Sequence, residues 1–292
     1  MNKGVRHKPT HQLEWMLLPY VVGTLLLTVL PATITLIIAF ADYTPSSPLR
    51  FAGLDNFKAL LDFPRIRLSL RNSLLFLVTA VPLRTLIALG LALLLQQQRR
   101  LFGVYRAAVY LPTVLPEAAY ALLWLWILNP LYGPLNMLLS ALQLPAPAWL
   151  TEPSTALAAM VMMSLFQVGE GFVVVLAGLQ SIPRYLKDAA RVDGAGIWLT
   201  FRHVTLPLLL PWLLLLSFRD LIVALQNTFA PTFIMTYGGP HYATTLVPLL
   251  VYEIAFDMFD FGLAAAVLVV LYILIALLIY GVFGLVGGQR DA

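Results

Sequence analysis

Six continuous apolar runs dominate this 292-residue chain, at positions 16–40, 72–95, 104–128, 156–179, 205–225 and 261–286. A helix needs about 20 predominantly apolar residues, at about 1.5 Å each, to cross ~30 Å of hydrocarbon. Each run meets that length, and none shows the ~10-residue alternating segments of a membrane β-barrel. The expected fold is all-α: a polytopic membrane protein with six transmembrane helices. The first run exceeds the ~7–15-residue core of a signal peptide and no clear small-residue cleavage site follows it, so it is read as a span. Only 11% of the residues are charged, against roughly 25% in soluble domains, too few to cover a water-facing surface. That excludes an ordinary soluble enzyme, a disordered regulator and a nucleic-acid binder, despite a formal charge of +4.

The basic residues have another use, because Lys and Arg in short loops orient spans with the basic side inward. Lys3, Arg6 and Lys8 precede the first run, Arg99, Arg100 and Arg106 flank the gap between the second and third, and Arg290 follows the last. Arg184, Lys187, Arg191 and Arg202 separate the fourth from the fifth, whereas 129–155 and 226–260 contain no Lys or Arg. The first loop is the exception, with Arg50, Lys58, Arg65, Arg67 and Arg71 against Asp42, Asp55 and Asp62. The majority predicts an N-in/C-in topology: a cytoplasmic tail over 1–15, one six-span membrane domain over 16–286 and a second tail over 287–292. Trp124, Trp126, Tyr132 and Trp149 would then gather at the outer interface. Segment 244–260, rich in large apolar side chains with scattered carboxylates, is expected to lie on that interface as an amphipathic element.

The absence of cysteine rules out disulfides and thiolate-bound metals. There is no G-x-x-x-x-G-K-[ST], H-E-x-x-H or G-x-S-x-G, and His7, His11, His203 and His241 are far apart in sequence. No catalytic residue, metal site or cofactor is therefore expected in this chain.

The most informative segment is 181–207. Ser181 followed by Pro183 is a helix start; Leu186, Ala189, Ala190 and Asp193 keep helical spacing, and Gly194 breaks it where a positive φ is tolerated. A second short helix carrying Ile197, Trp198, Phe201 and Val204 is expected to run to Pro207. One face of this helix–turn–helix is small and apolar and the other is basic. It suits a groove in another protein, although basic residues resting against anionic lipid would also account for its composition.

The run Asp188-Ala-Ala-Arg-Val-Asp-Gly194-Ala-Gly, closed by Leu206-Pro207, resembles the EAA loop of binding-protein-dependent ABC-transporter permeases, in particular the MalF/UgpA-like, carbohydrate uptake type 1 branch. Asp188 stands where that loop usually has a glutamate. Phe51-Ala-Gly-Leu-Asp-Asn-Phe57 resembles the family's first outer loop, and Arg71-Asn-Ser-Leu the entry to its next span. Tyr105-Arg106 through Leu111-Pro112, then Thr236-Tyr-Gly-Gly-Pro240, and Tyr252, Ala255-Phe256, Gly262 and Ala264 to Ala266 follow in the family's order. The resemblance implies a type I importer permease that imports a sugar or related polyol. It forms a pore with a second, related permease and docks its loop on one of two ATP-binding subunits, which hold ATP and Mg. An extracytoplasmic binding protein delivers the sugar, and the whole lies in a bacterial-type inner membrane with no nucleic-acid partner. Asp188, Ala189, Ala190, Arg191, Asp193 and Gly194 would make the ATPase contact.

A mid-span ionisable side chain costs at least ~2.5 kcal/mol to insert, so it faces a partner, water or a ligand. Arg84, Glu117, Glu170, Arg219 and Asp220 are such residues, with Gln167, Gln226 and Asn227 nearby. Gln167 and Glu170 are expected on one face of the fourth span, and Arg219, Val223 and Gln226 on one stripe of the fifth. In the family these two spans line the substrate cavity. Phe166, Gln167, Glu170, Arg219, Asp220, Val223, Gln226 and Asn227 are therefore substrate-path candidates. A structural Glu170–Arg219 ion pair and a water-filled cleft unrelated to substrate remain open. An ion-driven secondary transporter would instead show an internal repeat and interrupted helices. A membrane-embedded enzyme would need active-site carboxylates or histidines.

Overall fold

The computed structural model describes residues 11–96 and 102–287. The predicted tail residues Lys3, Arg6, Lys8 and Arg290 lie outside them, as do Arg99 and Arg100. The helices begin with α1 (His11–Thr24), α2 (Leu30–Ile38), α3 (Asp55–Asp62), α4 (Pro64–Leu94), α5 (Phe102–Val114) and α6 (Glu117–Ile127). They continue with α7 (Pro134–Ala141), α8 (Pro153–Ser164), α9 (Gly169–Ser181), α10 (Arg184–Val192) and α11 (Ile197–Thr200). The last are α12 (Leu206–Gln226), α13 (Phe229–Met235), α14 (Val247–Tyr252) and α15 (Phe261–Gly287). Among the described residues the one sheet is an antiparallel pair, β1 (Ala41–Asp42) and β2 (Arg50–Phe51). An all-helical build follows from the solvent, since in hydrocarbon each backbone polar group must be satisfied within its own segment.

Two π-helical stretches, Leu25–Val29 and Phe201–Thr205, are each followed by Leu-Pro. Pro31 and Pro207 have no N–H to give to the carbonyl four residues back, and their rings crowd it. The turn before each widens, and the helix continues.

The chain forms two compact units. The first comprises, of the described residues, 11–62 and 253–270. Its α1–α2 run, Trp15–Ile38, has a mean hydropathy of 2.3 and none of it is buried. A helix apolar all round is covered by lipid or a partner. In the hairpin region Asn56 Nδ2 donates to the carbonyls of Ala39 (3.0 Å) and Ala41 (2.8 Å). Gly262 lies so close to the Ala41 carbonyl that a Cβ would collide with it, so the family-like 51–57 loop and the lead into the last span are parts of one contact.

The second unit comprises, of the described residues, 63–96, 102–252 and 271–287. Its centre is the mutual packing of α4, α9 and α12 around Ala88, Ala92, Phe172, Val175, Leu176, Leu209 and Leu216. Small residues permit this approach: a Cβ on Gly178 would sit 2.7 Å from Trp212 Cγ. Asn72 Nδ2 donates to the Tyr242 carbonyl at 2.9 Å, and Ser73 Oγ accepts from the Val247 N–H at 2.9 Å. The Arg71-Asn-Ser-Leu motif thereby holds the segment that follows the Gly-Gly-Pro motif.

Among the described residues four helical runs are long and apolar enough to cross a membrane: Trp15–Ile38, Pro64–Leu94, Ile197–Met235 and Phe261–Gly281. The count reaches six when two bent pairs, α5 with α6 and α8 with α9, are each taken as one span. The straight third and fourth spans expected from hydropathy are therefore broken. The α5–α6 bend of 101° falls before Pro116, which disfavours helical φ/ψ at Leu115. The α8–α9 bend of 49° precedes Gly169, where a Cβ would come within 2.8 Å of Tyr110 Cα and 2.9 Å of the Val109 carbonyl of α5.

Two outer-surface expectations also need correction. In segment 244–260, Thr244, Leu246, Val247, Leu249, Leu250 and Ile254 are fully buried, and only its end, with Phe256, Met258 and Phe259, stays exposed. Its α14 packs on α4, α12 and α13 instead of lying on an interface. Trp124 is buried against Tyr120 and Phe166, and Trp149 Nε1 donates to Asn136 Oδ1 at 2.7 Å. Of the four aromatics only Trp126 and Tyr132 are well exposed.

Candidate functional site

The break between α8 and α9 collects most of the intramembrane charge. Residues 165–168 leave the helix, so Gln167 does not share a helical face with Glu170, which stands in the first turn of α9. Gln167 contributes its backbone instead. Its carbonyl, freed by the break, accepts from Arg84 Nη2 of α4 at 3.1 Å. Arg84 Nε also lies 3.4 Å from Asp220 Oδ2 on α12, an ionic contact without hydrogen-bond alignment. Asp220 Oδ1 accepts from Arg219 Nη1 at 3.2 Å, and Arg219 Nη2 pairs with Glu170 Oε2.

The four charges alternate in sign along a chain from α4 through α12 to α9. Its two ends differ. The side chains of Arg84 and Asp220 are 8% and 4% exposed, those of Arg219 and Glu170 36% and 48%. A buried pair gains from attraction about what it loses in desolvation, and losing one partner leaves the other charge stranded. The inner pair is therefore a fixture of the bundle, while the outer pair keeps water and any solute within reach. Asp220, singled out in sequence as a path residue, has no open face and reaches the surface only through Arg219.

The other candidates surround this chain less closely. Phe166 lies in the break with its ring 5.1 Å from that of Trp124. Val223 and Gln226 follow Arg219 on the same stripe of the unbroken α12, and Asn227 caps that helix. Sequence reasoning missed the Arg84–Asp220 bond and the Gln167 carbonyl, partners that join residues far apart in the chain. Pro116 and Gly169 were the available signals for the breaks.

At the far end of α9 lies segment 181–207. α10 ends in a Schellman motif: the Gly194 N–H donates to the Arg191 carbonyl (3.0 Å) and the Ala195 N–H to that of Ala190 (2.9 Å), with Gly194 at φ +81°. Asp188 and Arg191 pair on the exposed side at 3.6 Å. Asp188, Ala189, Arg191, Asp193 and Gly194 are all exposed and Ala190 is half-buried. The second helix expected up to Pro207 is not separate, because α11 runs through the π stretch into α12 as one helical rod, Ile197–Met235. Tyr185, Val192, Ile197, Trp198 and Leu199 remain exposed, Val192 and Ile197 to about nine-tenths.

These features define a multi-pass helical membrane protein with a polar chain where its spans break and an apolar, unpaired loop at one end. The chain matches the family described as "Binding-protein-dependent transport system inner membrane component" over residues 85–287. It is 32% identical over 264 residues to the trehalose/maltose transport system permease protein MalF of Thermococcus litoralis, covering 89% of this chain and 88% of that one. It is 30% identical over 276 residues to the sn-glycerol-3-phosphate transport system permease protein UgpA of Pectobacterium atrosepticum, covering 92% of each. A solved bacterial ABC transporter involved in the import of the acidic polysaccharide alginate matches its fold with TM-score 0.79 at 22% identity, over 96% of this chain and 95% of that one. The chain belongs to the inner-membrane permease family of binding-protein-dependent ABC transporters. Its relatives are transport permeases and not enzymes. Interrupted helices, expected of a secondary transporter, are present, but this membership sets that reading aside.

Proposed function

We propose that this chain is the permease subunit of an ATP-driven importer for a sugar or related polyol, inserted N-in/C-in, that forms its pore with a second, related permease. Two ATP-binding subunits, which hold the ATP and Mg²⁺, dock on the 181–207 loops, and an extracytoplasmic binding protein delivers the substrate. The observation that carries this reading is the exposed apolar set on that loop, Val192, Ile197, Trp198 and Leu199. It is too short to cross a membrane and has no cover among the described residues. Asp188, Ala189, Ala190, Arg191, Asp193 and Gly194 form the turn by which the motor grips it. The helical rod from Ile197 passes Arg219 ~33 Å along, at about 1.5 Å per residue. A displacement of the loop is thereby delivered to the polar chain.

The substrate path runs past Phe166, Gln167, Glu170, Arg219, Val223, Gln226 and Asn227, with Asp220 fixing Arg219 from behind. Relatives named for trehalose/maltose and lactose transport support a sugar, and one named for sn-glycerol-3-phosphate supports a polyol derivative. The test is to purify the chain with its co-expressed partners and measure ATP hydrolysis with a series of sugars and the cognate binding protein. Stimulation by one sugar class is expected, and Gly194→Val should abolish it while leaving the chain inserted. Nucleotide-independent uptake by the chain alone overturns the proposal.

A further inference from the structure

A cavity of about 1400 Å³ opens behind the 181–207 loop, where α4 and α9 end and α5 begins. Among the described residues four cations line it, Arg106 from α5 and Arg184, Lys187 and Arg191 from α10, and no carboxylate does. Arg191 has an exposed partner in Asp188. Arg106 lies with its guanidinium 3.7 Å from the Phe102 ring centroid, and its Nε is buried with no hydrogen-bond partner. α10 starts at the cavity wall with no side-chain cap on its first turn, so free N–H groups add to the positive field. The remaining lining mixes apolar and aromatic side chains such as Leu93 and Trp198 with the polar Gln96, Gln180, Thr200 and Thr205.

We infer that this cavity binds the phosphate-bearing headgroup of an anionic phospholipid, and it shares only Arg191, Ile197 and Trp198 of its lining with the surface given above to the ATPase. The cations lie within about two turns of span ends, the depth at which lipid phosphates sit, and basic pockets between membrane helices at that depth select anionic headgroups. Tyr105 of α5, next to Arg106, is exposed and offers the acyl chains an apolar surface at the cavity edge. An acidic protein surface would use the cations but not this flank. The inference does not rest on the substrate or the motor.

The experiment is native mass spectrometry of the full-length chain in detergent, titrated with phosphatidylglycerol, phosphatidylcholine or inorganic phosphate. Each basic group near an anionic lipid surface is worth about fivefold in affinity. The wild type should retain phosphatidylglycerol over phosphatidylcholine, and Arg106→Gln/Arg184→Gln should lose roughly thirty-fold of that preference. A melting curve accompanies the variant; if it is unfolded, Lys187→Gln alone should lose about fivefold. Equal retention of both lipids, or an unchanged preference in folded variants, overturns the inference. So does inorganic phosphate that displaces the lipid completely at comparable concentration, which would assign the site to a free anion. Loss of ATPase binding in the variants with lipid retention intact would assign it to the motor instead.

Discussion

Around Gly169 the second unit buries two charges and pairs them; around Gly194 it exposes five large apolar side chains and leaves them uncovered. Both regions depend on a glycine, for different reasons. Gly169 is there because α5 leaves no room for a Cβ, whereas Gly194 has open space around it and is required by its positive φ. The first region is complete within one chain, since every charge in it has an opposite charge in contact. The second is complete only against another surface. Stability and partner dependence should therefore separate cleanly between them.

The largest effect is expected from Asp220→Ala, which strands the Arg84 guanidinium inside the bundle. A loss of about 3–5 kcal/mol follows from removing one member of a buried pair, read as a drop in Tm of the detergent-purified chain. Replacing both, Arg84→Met with Asp220→Leu, should recover most of it, because no charge remains to be desolvated. If the single variant melts like the wild type, the inner pair is not the fixture described. Gly178→Leu comes next. Its side chain must displace Trp212 and Leu209, and overpacking of this kind costs about 1–3 kcal/mol, to be checked by the same melting experiment.

How much of this contrast was readable in sequence differs between its halves. The loop was nearly all there: the start at Pro183, the helical spacing, and Gly194 at a position that needs a left-handed residue are local properties, and local chemistry sets them. The join between α11 and α12 was missed, because Pro207 reads as a start signal although a π turn can absorb it, and Ser181 closes α9, its hydroxyl donating to the Gly178 carbonyl, instead of capping α10. Around Gly169 little was visible beyond the charges themselves. A hydropathy window averages across residues 165–168 and returns one span, and the partner of Asp220 lies 136 positions away on α4 (220 − 84). Segment 244–260 shows the same limit. Its apolar side chains were plain, but apolarity does not say whether the cover is lipid or protein, and for its α14 stretch α4, α12 and α13 supply it.

Two smaller effects sharpen the contrast. Gly194→Val forces a β-branched residue to φ near +81°, at a cost of about 1 kcal/mol. The chain should still insert and melt cooperatively, and only substrate-stimulated ATP hydrolysis by the assembled complex should vanish. Glu170→Gln removes the outer, half-exposed pair, whose stabilising contribution is below about 1 kcal/mol after solvent screening. Uptake should fall far more than Tm does. Equal losses in both would make this pair a structural bond like the inner one.

The smallest stability effect, and the sharpest separation, is expected from Val192→Ser with Ile197→Ser. Both side chains are about nine-tenths exposed, so removing their apolar surface costs the isolated chain no more than about 0.5 kcal/mol. In a complex these residues would lie in the buried centre of the contact, where truncating an apolar side chain costs on the order of 1–2 kcal/mol. Two such changes should weaken this permease's own contact enough for affinity capture of the ATPase on it to fall sharply. The readout is a pair of measurements on one preparation, the Tm of the lone chain and the fraction of ATPase recovered with it. An unchanged Tm with full recovery would mean that the exposed set faces something other than the motor, while a fall in both would mean that the loop is part of the fold and not a surface offered to a partner.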